Sequence, residues 1–462
     1  MQNIRNVKDP TCVLLLLLLL LLLLRSAAAA LPELSCPEHD TKMICDCNNN
    51  PQPMMLKPLH GSIYHLEVRN CRNLTVEAHS LHRTENLRKI SFQHIQHLVL
   101  HKFALSVPRD TSNKALIVEF EQVNFQLIDS HAINGNIEEI SFVGGRIEQM
   151  QPFGLTTTKD SAILLKLEGV HIQRIESQAF KKFAVEQMII ANCVFGSNVP
   201  TRAFYELEVR NELSMQHNRF QELHSHAFSF NRISKLSVSD NRFVGVAGEW
   251  LAAHIRDGIT LRGNDFGATS DIAFRSLSVH EDYQLSERLE LRFHNNTVRS
   301  SLPQAAYNNM QPSNEIAALP LHFNERFALS IRELRYNNSW SCEQLMESSS
   351  EPGVPRDEFF RLHSEQLLFR QAGGGGGGVA QFVPLRQLIA SDCQHRSYVA
   401  YIVLGSVLLA VLLVVLLLVI WWRSVQRRKR RKLDVVQPEP RTYKETQIVY
   451  QIENAGLLKT DL

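Results

Sequence analysis

The side chains able to do chemistry are numerous but scattered. Of 19 His, the tightest groupings are His224-Ser-His226 and the set His94, His97 and His101. An i, i+2 pair in a turn offers a metal two ligands with no third nearby, so these read as solvent-facing loop residues and no metal is assigned. No Walker or GxSxG pattern occurs, and the glycine run Gly373 to Gly378 is a homopolymer without the Lys-Ser/Thr that a phosphate loop needs. No cofactor follows from these residues. Cysteine is the other reactive type, and its meaning depends on the compartment.

Two apolar runs set that compartment. Val13 to Leu24 contains eleven consecutive Leu, preceded by Arg5 and Lys8 and followed by Ala27 to Ala30. Charge, short apolar core and small residues in that order predict a signal peptide over residues 1–30, cut before Leu31. Tyr398 to Trp422 is a second run of 25 residues without a charge, long enough for a helix to span an apolar layer of about 30 Å. Tyr398, Tyr401, Trp421 and Trp422 suit its two interfaces, and the cluster from Arg423 to Lys432 follows at once. The expected topology is single-pass type I at the plasma membrane, with residues 31–397 outside, 398–422 in the membrane and 423–462 as a cytoplasmic tail.

The formal net charge of +2 excludes a histone-like or strongly acidic chain and gives no reason to expect nucleic acid as a partner. Outside the cell, disulfides are expected. Cys36, Cys45, Cys47, Cys71, Cys193, Cys342 and Cys393 remain after cleavage, an odd number, so at least one is unpaired or pairs between chains. The sequons at Asn73, Asn295 and Asn337 are lumenal on this topology and predicted to carry glycans.

The elements that would position recognition residues come from an internal repeat. The pattern apolar-x-apolar-x-x-(Asn, Cys or apolar)-x-apolar starts at Leu213, Leu236 and Ile259 with a period of 23. Weaker copies start at Leu66, Ile90, Val118, Ile140, Leu165, Met188 and Leu291. A second signal accompanies it, an Ala/Gly-apolar pair such as Ala179-Phe180, Ala203-Phe204, Ala227-Phe228 and Ala273-Phe274. Alternation predicts a short strand with one buried face, and stacking of successive coils supplies the core that no single coil can build.

Across roughly residues 34 to 345 this pattern resembles extracellular leucine-rich repeat proteins. The resemblance implies an α/β-type solenoid, a horseshoe whose concave face is a parallel sheet, closed by cysteine caps and followed here by one transmembrane helix. It also implies an inward ladder position, filled by Asn218, Asn241, Asn264 and Asn296 and by Cys193 as a buried thiol, whereas Ile95, Val123, Gly145 and Val170 depart from it. In the family's amino-terminal cap the pairing would be Cys36 to Cys47 and Cys45 to Cys71. Asn338-Ser-Trp340-Ser-Cys342-Glu-Gln-Leu345 resembles the start of the carboxy-terminal cap, with Gln344 where a second cysteine belongs, so Cys393 is left to bridge Cys342. The expected domains are a cap with first repeat over 31–76, repeats over 77–300, a degenerate cap beginning at 301–345 and a Gly/Ser-containing juxtamembrane spacer over 346–397.

On this register the exposed strand positions form columns. Arg72, Gln96, Asn124, Arg146, His171, Val194, Arg219, Arg242, Asp265 and Thr297 make one; Arg69, Gln93, Glu121, Val143, Glu168, Ala191, Gln216, Ser239, Arg262 and His294 make another. No column collects the paired carboxylates, metal ligands or nucleophile set that catalysis requires, so the face is read as a protein-recognition surface and not as an enzyme site. Its best local candidate is Gln216, Arg219, Asp240, Arg242, Arg262 and Asp265, where arginine forks stand among polar and acidic groups.

The tail is too short for an enzyme domain. Glu453-Asn-Ala-Gly-Leu457-Leu458 resembles an acidic dileucine sorting signal read by clathrin adaptors, and Thr460-Asp461-Leu462 resembles a PDZ ligand. The expected function is a cell-surface receptor, co-receptor or adhesion protein that binds an extracellular protein ligand. Alternatives are a parallel β-helix ectodomain acting on polysaccharide and a shed structural matrix component.

Overall fold

The computed structural model describes residues 32–107, 115–158, 160–283, 288–300, 319–338, 340, 342–346, 355, 357–370 and 381–433. The expected signal peptide, the glycine run, and the tail motifs at Glu453, Leu457, Leu458, Thr460 and Leu462 lie outside these residues. The chain divides into two units, residues 1–394 and 395–462.

The first unit is a parallel β-solenoid. Its front sheet follows one register line, Met43, Leu66, Ile90, Val118, Ile140, Leu165, Met188, Leu213, Leu236, Ile259, Leu291 and Leu329. Every repeat start expected from the sequence stands on that line, and a further rung is added at each end. The cause is the alternation: in strand Phe228–Ser239 the buried Leu236 and Val238 point inward while Lys235, Ser237 and Ser239 face out.

Each coil then turns a corner through one left-handed residue, among them Asn70, His94, Asn192, His217, Asp240, Gly263 and Asn295 with φ between 50 and 70°. Polar and glycine residues tolerate that conformation best, which is why they occupy the corners. A second parallel ladder follows the corner, running through Arg219, Arg242 and Asp265, and a third passes through Phe180, Phe204 and Phe228. The phenylalanines stack from coil to coil. Phe195, Phe220, Phe243 and Phe266 keep centroid distances of 4.6, 5.0 and 5.0 Å, and each fully buried ring contributes about 2–3 kcal/mol of apolar burial.

The described residues of the coils contain no helix, so the helical backs implied by the α/β reading are replaced by short strands and turns. Antiparallel pairs mark the two ends. Glu38–His39 folds back on Lys42–Asp46, and Leu367–Arg370 pairs with Phe382–Pro384, covering edges that would otherwise be open.

The cap pairing implied by the family resemblance is corrected. Cys36 bonds Cys45, and Cys47 bonds Cys71. The antiparallel register Glu38 to Met43 and His39 to Lys42 extends to bring Cys36 opposite Cys45. The parallel register Asp46 to Arg69 carries Cys47 next to Cys71 on the following coil. Cys342 bonds Cys393, as expected, and Cys193 is the buried free thiol.

The repeats continue to Tyr336 through strands Phe327–Arg332 and Leu334–Tyr336, past the boundary expected at residue 300. Within the segment expected to be a Gly/Ser-containing spacer, the described residues include strands and short helices. Strand Leu367–Arg370 extends the second ladder from Leu334–Tyr336, and Phe360, Leu367, Phe369, Leu385 and Leu388 are buried. Their apolar side chains close the end of the core where an exposed coil edge would be costly.

In the second unit, one helix among the described residues, Tyr401–Arg430 within Gln394–Leu433, is long and apolar enough to cross a membrane, and none of it is buried.

Candidate functional site

The corner between the first and second ladders is fixed by a run of buried asparagines. The Asn241 side chain donates to the Met215 carbonyl at 2.9 Å, and its Oδ1 accepts from the backbone and side-chain nitrogens of Asn218, both at 2.9 Å. Asn264 repeats the arrangement one coil later and Asn296 the next. These contacts satisfy turn groups that water cannot reach. At the head of the run the Cys193 amide donates to Asn218 Oδ1 at 2.8 Å, and the thiol itself reaches the Ala191 carbonyl at 3.3 Å. Burial pushes the Cys193 thiol up to about 11, so the position holds an unreactive side chain.

On the outside of these corners stand the six residues singled out from the sequence, all exposed. Gln216, Ser239, Arg262 and His294 are successive register partners, as are Arg219, Arg242 and Asp265, with Asp240 at the left-handed corner between the columns. Gln216 Nε2 donates to Ser214 Oγ at 2.7 Å, and Asp265 Oδ1 accepts from the Gly267 amide at 3.2 Å. Arg242 and Asp265 line a surface hollow of about 220 Å³ together with Thr297, Arg299 and Asn337. His294 donates to or accepts from Ser330 Oγ at 3.1 Å, and burial followed by the charges of Arg332 and Arg292 holds its imidazole below the usual histidine range.

The sequons fall at different depths. Asn73 is half-buried and its side chain donates to the Pro51 carbonyl at 3.4 Å, whereas Asn295 and Asn337 are exposed, the former at the corner beside His294 and the latter in the hollow.

Two features escaped the sequence reading. Arg332, beside His294 in register, belongs to a rung that begins at Leu329, and 38 residues separate it from the start at Leu291, too many for the period to reveal. The other is an edge stripe of rings: His79 stacks on Phe103 at 5.3 Å, Phe103 meets His131 tilted at 5.3 Å, and His131 meets Phe153 edge-on at 5.2 Å. All four are left-handed, and Lys181 lies over Phe153 at 4.9 Å. From Phe103 on, the signal was available: each stripe residue immediately precedes the Ala/Gly-apolar pair of its coil. Among the described residues no group of three or more His, Cys, Asp or Glu is arranged to hold a metal ion.

The face therefore offers exposed guanidinium, amide and carboxylate groups at positions set by the strand register. Comparison with protein-family models, with curated proteins and with solved structures gives no match.

Proposed function

We propose that this chain is a single-pass type I protein of the plasma membrane whose solenoid, a strand-backed form of the leucine-rich repeat horseshoe, recognises an extracellular protein. The observation that carries the reading is the set Gln216, Arg219, Asp240, Arg242, Arg262 and Asp265, exposed and held in neighbouring positions across three coils. Three disulfides and one candidate membrane helix are compatible with an ectodomain in an oxidising space. The role is that of a receptor, co-receptor or adhesion protein, with recognition in place of catalysis. In this reading the tail from Arg423 onward stays in the cytosol and recruits PDZ and clathrin-adaptor proteins through Thr460–Leu462 and Glu453–Leu458.

The test is a mixed-cell binding assay. Cells displaying the full chain should retain unmodified cells. Arg219→Gln, Arg242→Gln and Arg262→Gln combined should abolish retention at equal surface density. Retention that survives the triple change, or no retention with the chain displayed, removes the proposal.

A second reading is a parallel β-helix acting on polysaccharide, favoured by coils built of strands on every side. Glycan cleavage by the displayed chain, lost in Asp240→Asn or Asp265→Asn, would establish it.

A further inference from the structure

Charge is handled differently at the two ends of the front face. In the amino-terminal coils opposite signs meet. Lys42 lies 2.7 Å from Glu67, Arg69 is 2.7 Å from Asp46, and Lys89 is 2.7 Å from Glu119. From Arg219 onward like signs also stand in register, beside opposite-sign pairs such as Arg242 with Asp265. Arg219 is the direct partner of Arg242, and Arg262 and Arg332 stand one strand to either side of His294, whose imidazole is held below the usual histidine range by burial and then by the Arg332 and Arg292 charges.

Strands of a sheet lie about 4.8 Å apart, so same-sign neighbours repel unless an anion comes between them. The carboxylates near the patch are mostly taken: Glu212 holds Lys235 at 3.3 Å, Glu290 holds Arg292 at 2.7 Å and Glu333 holds Arg335 at 3.4 Å. Among the described residues Arg219, Arg242, Arg262, Arg299 and Arg332 have no carboxylate within ion-pair distance. Packing does not demand these arginines, because all five are exposed, including Arg242 and Arg299 at the surface hollow. They are five forks for which the described residues supply no carboxylate.

Two free carboxylates among them narrow the acceptor. Asp240 and Asp265 stand beside Arg262 and Arg242 and would oppose the dense charge of a sulfated polysaccharide more than the carboxylates of a polypeptide. A protein segment with several carboxylates and an occasional cation meets both signs. We propose that this end of the face docks a carboxylate-rich segment of a partner protein; this rests on the recognition role assigned above and specifies its chemistry.

The experiment uses intact cells displaying the full chain, matched for surface density, with fluorescent poly-L-glutamate as probe and heparin oligosaccharide in a parallel arm. Poly-L-glutamate should bind, and Arg219→Gln/Arg242→Gln and Arg262→Gln/Arg332→Gln should each weaken it about tenfold or more. Lys166→Gln, which breaks the 2.5 Å pair to Glu168 on earlier coils, should leave binding unchanged. Asp240→Asn should strengthen binding several-fold, a gain that misfolding does not produce; asparagine tolerates the φ of 54° at that corner.

Absence of poly-L-glutamate binding, or binding by both double variants equal to that of the unaltered chain, overturns the proposal. Heparin bound more tightly than poly-L-glutamate through the same arginines assigns the patch to a sulfated polysaccharide and also overturns it. If cell retention persists while poly-L-glutamate fails, only the acidic partner is lost; if cell retention fails, the recognition role itself falls.

Discussion

Replacing Asn241 by Ala tests whether the asparagine run holds the corners beneath the face. Asn241 is 2% exposed and its side chain serves two backbone groups, the Met215 carbonyl and the Asn218 amide, as well as the Asn218 side chain. The Asn218 side chain keeps its bond to the Ile190 carbonyl at 2.7 Å, and Asn264 Oδ1 keeps the Asn241 amide at 3.0 Å, so two backbone groups are orphaned. At about 1–3 kcal/mol for each buried group left unpaired, the loss is about 4 kcal/mol, falling toward about 2 if water enters the vacated space. The assay is hydrogen exchange of the full chain in nanodiscs. The Asn218 amide should exchange about a thousandfold faster at 4 kcal/mol, while the Asn264 amide, bonded to Asn296 Oδ1 at 2.9 Å, keeps its protection. The exposed Asn198→Ala change, which removes a 3.2 Å contact to Glu222, should cost under about 0.5 kcal/mol. Equal protection of the Asn218 amide in both variants would refute the reasoning.

Three further outcomes are expected. Cys193 should resist a maleimide at pH 8 in the folded chain and react once the chain is unfolded, because burial raises its thiol to about 11; labelling of native Cys193, located by peptide mapping, contradicts this. A protease site in place of Gly373–Gly378 should yield two fragments that stay joined until reductant is added, since Cys342 and Cys393 bracket the cut; release without reductant would show the bridge is not formed. Acid should loosen the amino-terminal coils. For Asp46, burial raises the carboxyl but the Asn48 amide, Arg69 and Asn70 bring it below its ordinary value; for Glu67 the Lys42 bond lowers it, against burial. The unfolded chain therefore takes up protons first, and this stability is present above the ordinary carboxylate range near about pH 4 and lost as pH falls through it to the depressed values. Asp46→Asn should lower the unfolding temperature at pH 7 and flatten its fall between pH 5 and about 3; an unchanged slope removes that account.

The solenoid was legible because its cause is local. Leu213, Leu236 and Ile259 recur at a fixed interval, alternation orients each strand, and a one-residue slip would turn every apolar side chain outward, so the register had a single solution. The span Tyr398 to Trp422 was equally local, as composition alone decides whether a helix can be that apolar. The exposed columns through Gln216 and Arg219 followed from the same register.

What the sequence left open are relations between distant segments. Nothing in the spacing of Cys36, Cys45, Cys47 and Cys71 says that the first two face one another across a turned-back strand, because that depends on the antiparallel pairing of Glu38–His39 with Lys42–Asp46. Nothing before Leu329 announces the added rung that brings Arg332 beside His294, and the strand Leu367–Arg370 has no repeat partner to betray its place in the second ladder. Charge is decided in the same way. A sequence states that Arg219 and Arg242 are cationic, and only their placement on adjoining strands, with Glu212 and Glu290 engaged by Lys235 and Arg292, sets two like charges side by side. Periodic burial can be read along a chain, but pairing across it depends on which strand the folded coil sets alongside.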